Sequence, residues 1–307
     1  MKLEKEQRRA KKRGGKGLGL KSDISAYLII LPSLFCLFMF VWRPIVSGFR
    51  MSLYDTQGYS LTEFVGLDNY KAIVSDSLFT TAVANTFKYV GWSTLIGFIP
   101  PILIAIMICE LRYAKSFVKF ALYFPAICPV IVTSLLWGLL YEPGPGGLLN
   151  TILMKMGMEP NQWLNDANMT IIYIIISKTW QGFGGAAIIY LATLEGLPKE
   201  LYESAMIDGA GIFQRIRYIT LPQMWGVILL MLINNISGVF QIMTEPLTMT
   251  GGGPNNASLS LSLLSYRYGF VYMEVDKALT VGVLTFFILF VLTLFYFKLD
   301  KKVNVDV

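Results

Sequence analysis

The sequence predicts an all-α polytopic membrane protein with six transmembrane helices, and three observations carry that prediction. Of 307 residues, 54% are hydrophobic and only 15% charged, with a mean hydropathy of +0.56. A soluble domain of this length needs more polar residues to cover its surface. The apolar residues come in long blocks, several near the roughly 20 residues that cross a bilayer core. Lys and Arg are distributed unevenly between the segments that join those blocks. A soluble bundle of unusually apolar helices is the alternative these observations disfavour.

The first span is predicted from about Tyr27 to Ile45, after a tail with nine Lys and Arg before Ser22. Beside a membrane segment such a tail reads as the charge that keeps a terminus in the cytoplasm, rather than as a nucleic-acid-binding arm. It is also too long and basic, with too long an apolar block, for a cleaved signal peptide. A polar stretch runs from Arg50 to about Leu78, and the second span from about Thr81 to Cys109. A short basic connector leads into the third, Phe117 to Tyr141, closed by the turn-rich EPGPGG. The fourth covers Thr170 to Leu194, the fifth Trp225 to Thr244 and the sixth Ala278 to Phe297. Pro100, Pro101, Pro125 and Pro129 are expected to shape bent helices.

The resulting division is a basic tail over 1–23, a first helix with its outer loop over 24–80, a five-helix core over 81–297, and a second tail over 298–307. With the N-terminus inside, the inner segments hold eighteen Lys and Arg and the outer segments six. Both termini are therefore expected in the cytoplasm. The amphipathic stretch 195–224 then lies inside the cell. It is too polar to span and suited to the membrane surface or to a partner.

Enzyme chemistry finds little material. The chain has no histidine, which excludes Ser-His-Asp and Cys-His arrangements. Cys36, Cys109 and Cys128 lack metal-ligand spacing and read as packing residues. GGKGLGLKS fails the spacing of a phosphate loop and no strand precedes it. No cofactor, no metal and no nucleic-acid partner is expected. If ATP drives this protein, another chain must hydrolyse it.

Residues 197–224 read LPKELYESAMIDGAGIFQRIRYITLPQM. Helical spacing puts Tyr202, Ala205 and Met206 on one face, with Glu203 and Asp208 directed elsewhere. Gly209-Ala210-Gly211 breaks that helix, and Pro222 is expected to interrupt the run before the fifth span. Glu203-Ser204-Ala205, then Gly209, then Ile219-Thr220-Leu221-Pro222 resembles the coupling loop of ABC importer permeases, with both spacings matched. Ser204 replaces a usual alanine, a small change. FVGLDNY at 64–70, NTFKY at 85–89 and MTGGGP at 249–254 resemble the carbohydrate-uptake branch, its maltose- and glycerol-phosphate-permease-like half. Tyr266-x-Tyr268 fits less closely, and Lys277 stands where that family usually has glycine.

The resemblance implies a heterodimer with a second permease, two ATPase subunits that bind the ATP, an extracellular sugar-binding protein, and a place in the plasma or inner membrane of a prokaryote. It assigns ATPase coupling to Glu203, Ser204, Ala205, Asp208 and Gly209. It puts sugar-pathway positions at Gln181, Gly182, Gly185, Asn235, Val239 and Ile242, of which only Gln181 and Asn235 can hydrogen-bond through side chains. The residue types alone leave open that Gln181 and Asn235 act as interhelical glue. Lys178, within the fourth span, is expected to reach toward the outer interface. Another solute, such as glycerol phosphate or a polyamine, and an ATP-independent secondary transporter are the competing readings.

Overall fold

A computed structural model describes residues 20–111 and 113–303, with side chains over 27–111 and 113–298. Residues 1–19 of the basic tail, Arg112 of the first connector and 304–307 of the C-terminal tail lie outside the described residues. The chain divides into two units, Met1–Met51 and Ser52–Val307.

The described part of the first unit is one helical run, Leu20–Leu37, Phe38–Trp42 and Arg43–Met51. Its side chains from Tyr27 to Phe40 are, apart from Ser33, largely apolar and mostly exposed, as expected of a helix whose solvent is lipid.

The second unit opens with a small antiparallel hairpin, Tyr54–Gln57 with Ser60–Phe64, and a helix Asp68–Ser75. The hairpin is the departure from an all-α chain, and it lies where the sequence shows only a polar stretch. Long helices follow at Ser77–Glu110, Ile212–Phe240 and Val275–Lys298. With Tyr27–Met51 they make four helices, among the described residues, that are long and apolar enough to cross a membrane. The third expected span is a bent pair instead. Lys115–Ile127 and Val130–Leu140 meet at 93°, and counting the pair as one span gives five. The bend falls at Cys128-Pro129, because proline disfavours helical backbone in the residue before it. The fourth, Thr170–Glu195, has 26 residues and nearly the expected bounds but falls short in apolarity. Its centre carries Lys178, Thr179 and Gln181.

Three wide π-helical turns precede prolines: Phe38–Trp42 before Pro44, Ser93–Phe98 before Pro100, and Ile216–Thr220 before Pro222. A proline has no N–H to give the preceding turn, and its ring crowds the carbonyl there. Widening that turn accommodates both effects. Pro222 therefore does not interrupt the run, contrary to the sequence expectation: Ile212–Phe240 is one helix.

Asn85 donates through Nδ2 to the carbonyls of Asn256 and Leu259, at 2.8 and 3.1 Å. Tyr89 donates to the Ser258 carbonyl at 3.0 Å, and Thr86 Oγ1 accepts from the Leu261 amide at 3.1 Å. The NTFKY segment thus binds the loop that follows MTGGGP. That loop needs such support: Gly251, Gly252, Asn255 and Asn256 all have left-handed φ, so its backbone groups have no regular ladder. Asn69 likewise donates to the carbonyls of Ser52 and Tyr54, fastening FVGLDNY to the start of the hairpin.

Candidate functional site

Two regions of the second unit hold the residues that the sequence singles out. The first is a cavity of about 180 Å³ lined by Ser93, Lys178, Gln181, Gly182 and Asn235, among others. The helix Thr170–Glu195 places Lys178, Gln181, Gly182 and Gly185 on one face, spaced by three, one and three residues. Ser93 comes from the π-turn of the helix Ser77–Glu110, and Asn235 from Leu221–Phe240. Ser93 Oγ donates to Asn235 Oδ1 at 3.1 Å. The Asn235 Nδ2 is buried without a partner among the described residues. Gln181 Nε2 donates to the Cys128 carbonyl at 2.9 Å. That carbonyl sits at the bend between the paired helices, so Gln181 also joins two elements.

Gln181, Gly182 and Asn235 are thus brought together. A Cβ added to Gly182 or Gly185 would meet nothing within 4 Å, so both glycines keep open space beside the helix. Gly184 does the reverse: its Cβ would strike the Leu122 backbone, and its absence lets the helix Lys115–Ile127 approach closely. Val239 and Ile242 are not brought to the cavity. They are 1% and 2% exposed and pack in a core cluster with Tyr89, Tyr141 and Ile174.

Lys178, expected to reach toward the outer interface, is held by an acid that the sequence reading did not single out. Its Nζ lies 2.7 Å from Glu245 Oε1, and Glu245 is 5% exposed. A lone charge in such surroundings is too costly to keep, whereas an opposite charge in contact offsets part of that cost. Glu245 was missed because it stands just past the fifth apolar block. A search for the acid that a mid-span lysine requires would have found it.

The second region is the segment between the helices Thr170–Glu195 and Leu221–Phe240. A helix Lys199–Ile207 ends at Gly209, whose φ of +80° lets the chain reverse, and Ile212–Arg215 starts the next. The Gly211 amide donates to Gln214 Oε1 at 2.8 Å, and Tyr202 OH bonds Thr220 Oγ1 at 3.1 Å, fixing the angle of the two helices. Glu203, Ser204, Asp208 and Gly209 are exposed and Ala205 is half-buried. Ile207 and Phe213 are 86% and 84% exposed at the turn. Between this segment and the ends of neighbouring helices lies a cleft of about 570 Å³, with Glu110, Lys115, Glu195, Glu203 and Arg215 at its walls. Glu195 accepts from Lys115 at 2.7 Å and Lys119 at 3.2 Å. Those ammonium groups hold its carboxyl below the usual carboxylate range.

The chain as a whole is similar to known proteins. The chain is 32% identical over 294 residues to the arabinooligosaccharides transport system permease protein AraP of Bacillus subtilis, covering 95% of this chain and 93% of that one. It is 30% identical to the trehalose/maltose transport system permease protein MalF of Thermococcus litoralis, covering 90% and 93%. A crystal structure of a bacterial ABC transporter involved in the import of the acidic polysaccharide alginate contains a chain 25% identical. It superposes with a TM-score of 0.81 over 92% of this chain and 97% of that one. Residues 27–305 match the family described as binding-protein-dependent transport system inner membrane component. The chain, with its membrane-length helices and its exposed helix–turn–helix segment, belongs to that family of transport permeases.

Proposed function

We propose that this chain is the permease subunit of an ABC importer that moves a sugar or oligosaccharide inward by alternating access, driven by separate ATPase subunits. The family match over 27–305 carries the reading, and the sugar-transport names of its relatives support the substrate class. Six spans follow if the bent pair Lys115–Leu140 counts as one and Thr170–Glu195 as another. The Lys and Arg asymmetry then puts both termini and the segment 195–224 in the cytoplasm, in the plasma or inner membrane of a prokaryote.

In this scheme the segment with Glu203, Ser204, Ala205, Asp208 and Gly209 docks on an ATPase subunit, and Ile207 and Phe213 lose their exposure to water there. ATP can shift the permease only if it favours one global state over another. A short helix held rigidly to the span through Tyr202 and Thr220 is suited to transmit that difference. The cavity at Gln181, Gly182 and Asn235 offers sugar hydroxyls polar side chains beside open glycine surface, with Gly185 on the same helix face just outside it. A second permease, two ATPase subunits and an external binding protein complete the assembly.

Purification from native membranes in mild detergent, followed by mass analysis, tests the reading. It expects this chain with a second permease and two copies of an ATPase, and sugar uptake in liposomes that requires ATP and the binding protein. Solute movement by the chain alone without ATP would replace it with a secondary transporter.

A further inference from the structure

The Lys178–Glu245 pair has a place in the molecule that packing alone does not explain. Lys178 borders two adjoining spaces. One is the cavity with Ser93, Gln181 and Asn235. The other is a tight crevice with Thr133, Ser134, Trp137, Ser177 and Glu245. Gln181 is shared by both. Of the residues lining the two, Lys178 and Glu245 alone carry charge. The two are unequal: the Lys178 side chain is 33% exposed and that of Glu245 only 7%. The cation therefore faces the open side and the carboxylate stands behind it. The polar remainder of the cavity, the hydroxyls of Ser93 and Thr179 and two amides, is uncharged.

From this geometry we infer that Glu245 sets the charge selectivity of the pathway, making it one for uncharged oligosaccharides. A lysine beside a half-open cavity would by itself attract a carboxylate. Glu245, buried and in contact at 2.7 Å, already occupies that role. A uronic-acid sugar entering the cavity would have to compete with a fixed carboxylate in surroundings of low dielectric, where like charges repel strongly. A neutral sugar meets no such opposition and can still accept hydrogen bonds from the half-exposed lysine. Glu245 is thus a specificity-determining residue acting through Lys178. This inference rests on the sugar-permease reading above and adds the charge class of the substrate.

The test uses the complete permease–ATPase complex in detergent without nucleotide, so that selection by an external binding protein plays no part. Equilibrium binding is measured for a radiolabelled neutral oligosaccharide that the wild-type complex imports and for trigalacturonate. The wild type should prefer the neutral sugar. Glu245→Gln frees the ammonium and should raise the relative affinity for trigalacturonate about tenfold or more. The double variant Lys178→Gln/Glu245→Gln should abolish that gain. An unchanged ratio in Glu245→Gln overturns the inference, as does a gain that persists in the double variant. Should Glu245→Gln fail to assemble, wild-type complex that binds trigalacturonate as tightly as the neutral sugar would also overturn it. Failure of the wild-type complex to import any sugar with ATP is a different result, which removes the sugar-permease reading itself.

Discussion

Two segments tied to the motifs by which the chain resembles its family are opposites in physical terms. The loop Asn256–Leu261 is bound from within: Asn85, Thr86 and Tyr89 bond its carbonyls and an amide, and Arg267 bonds Asn256 and the Gly251 carbonyl. The segment Lys199–Thr220 turns its large apolar side chains outward, with Ile207 and Phe213 nearly fully exposed. The first segment is complete as it stands, since buried backbone groups must be paired. The second leaves an apolar surface uncovered, which is how a surface awaiting a partner looks. A motif can therefore mark a family for folding reasons or for assembly reasons, and exposure tells the two apart.

Variants can break that contrast. The largest loss of stability is expected from Asn85→Leu, which orphans the buried Leu259 carbonyl, removes one of two bonds to the Asn256 carbonyl, and should cost about 1–3 kcal/mol. Thermal unfolding in detergent measures it, and an unchanged midpoint would mean the loop does not depend on Asn85. Ile207→Glu should leave that midpoint in place while abolishing co-purification of the ATPase, because a charge then replaces apolar surface in the contact. Glu203→Ala should weaken ATPase docking and uptake with folding altered by less than about 0.5 kcal/mol, as for other exposed sites. Normal uptake in this variant would remove Glu203 from the docking role.

Smaller effects sharpen the comparison. Tyr89→Phe keeps the buried ring and removes one hydrogen bond to the Ser258 carbonyl, for an expected cost of about 1 kcal/mol in the same unfolding assay. Glu195→Gln dissolves the ion pairs with Lys115 and Lys119 at the edge of the cleft. These groups are substantially exposed, so the change should be at most about 0.5 kcal/mol. A larger loss there would mean that the two lysines hold the cleft walls in place.

Much of the fold was legible in the chain. Apolar block length located the helices at Tyr27–Met51, Ser77–Glu110, Thr170–Glu195 and Val275–Lys298 to within several residues, whereas Ile212–Phe240 begins well before the expected Trp225. The glycine turn at Gly209 was legible too, because a left-handed φ has few residues to choose from. The right-angle bend at Cys128-Pro129 was not. Two prolines four residues apart announce some distortion, but its angle depends on packing, including the approach that Gly184 permits at Leu122. At the candidate site, Gln181 and Asn235 were visible as polar residues in apolar helices, whereas Ser93 was not.

By itself the sequence determined that this protein lives in a membrane and which transport family it belongs to. Both are properties of short stretches: runs of apolar residues, and motifs of fixed spacing. Only the tertiary structure decided where buried polar groups find partners. Lys178 meets Glu245 across 67 residues, and Asn85 meets Leu259 across 174. In a low-dielectric interior a polar group takes the partner that the packing brings within about 3 Å, and that choice is made by the whole fold.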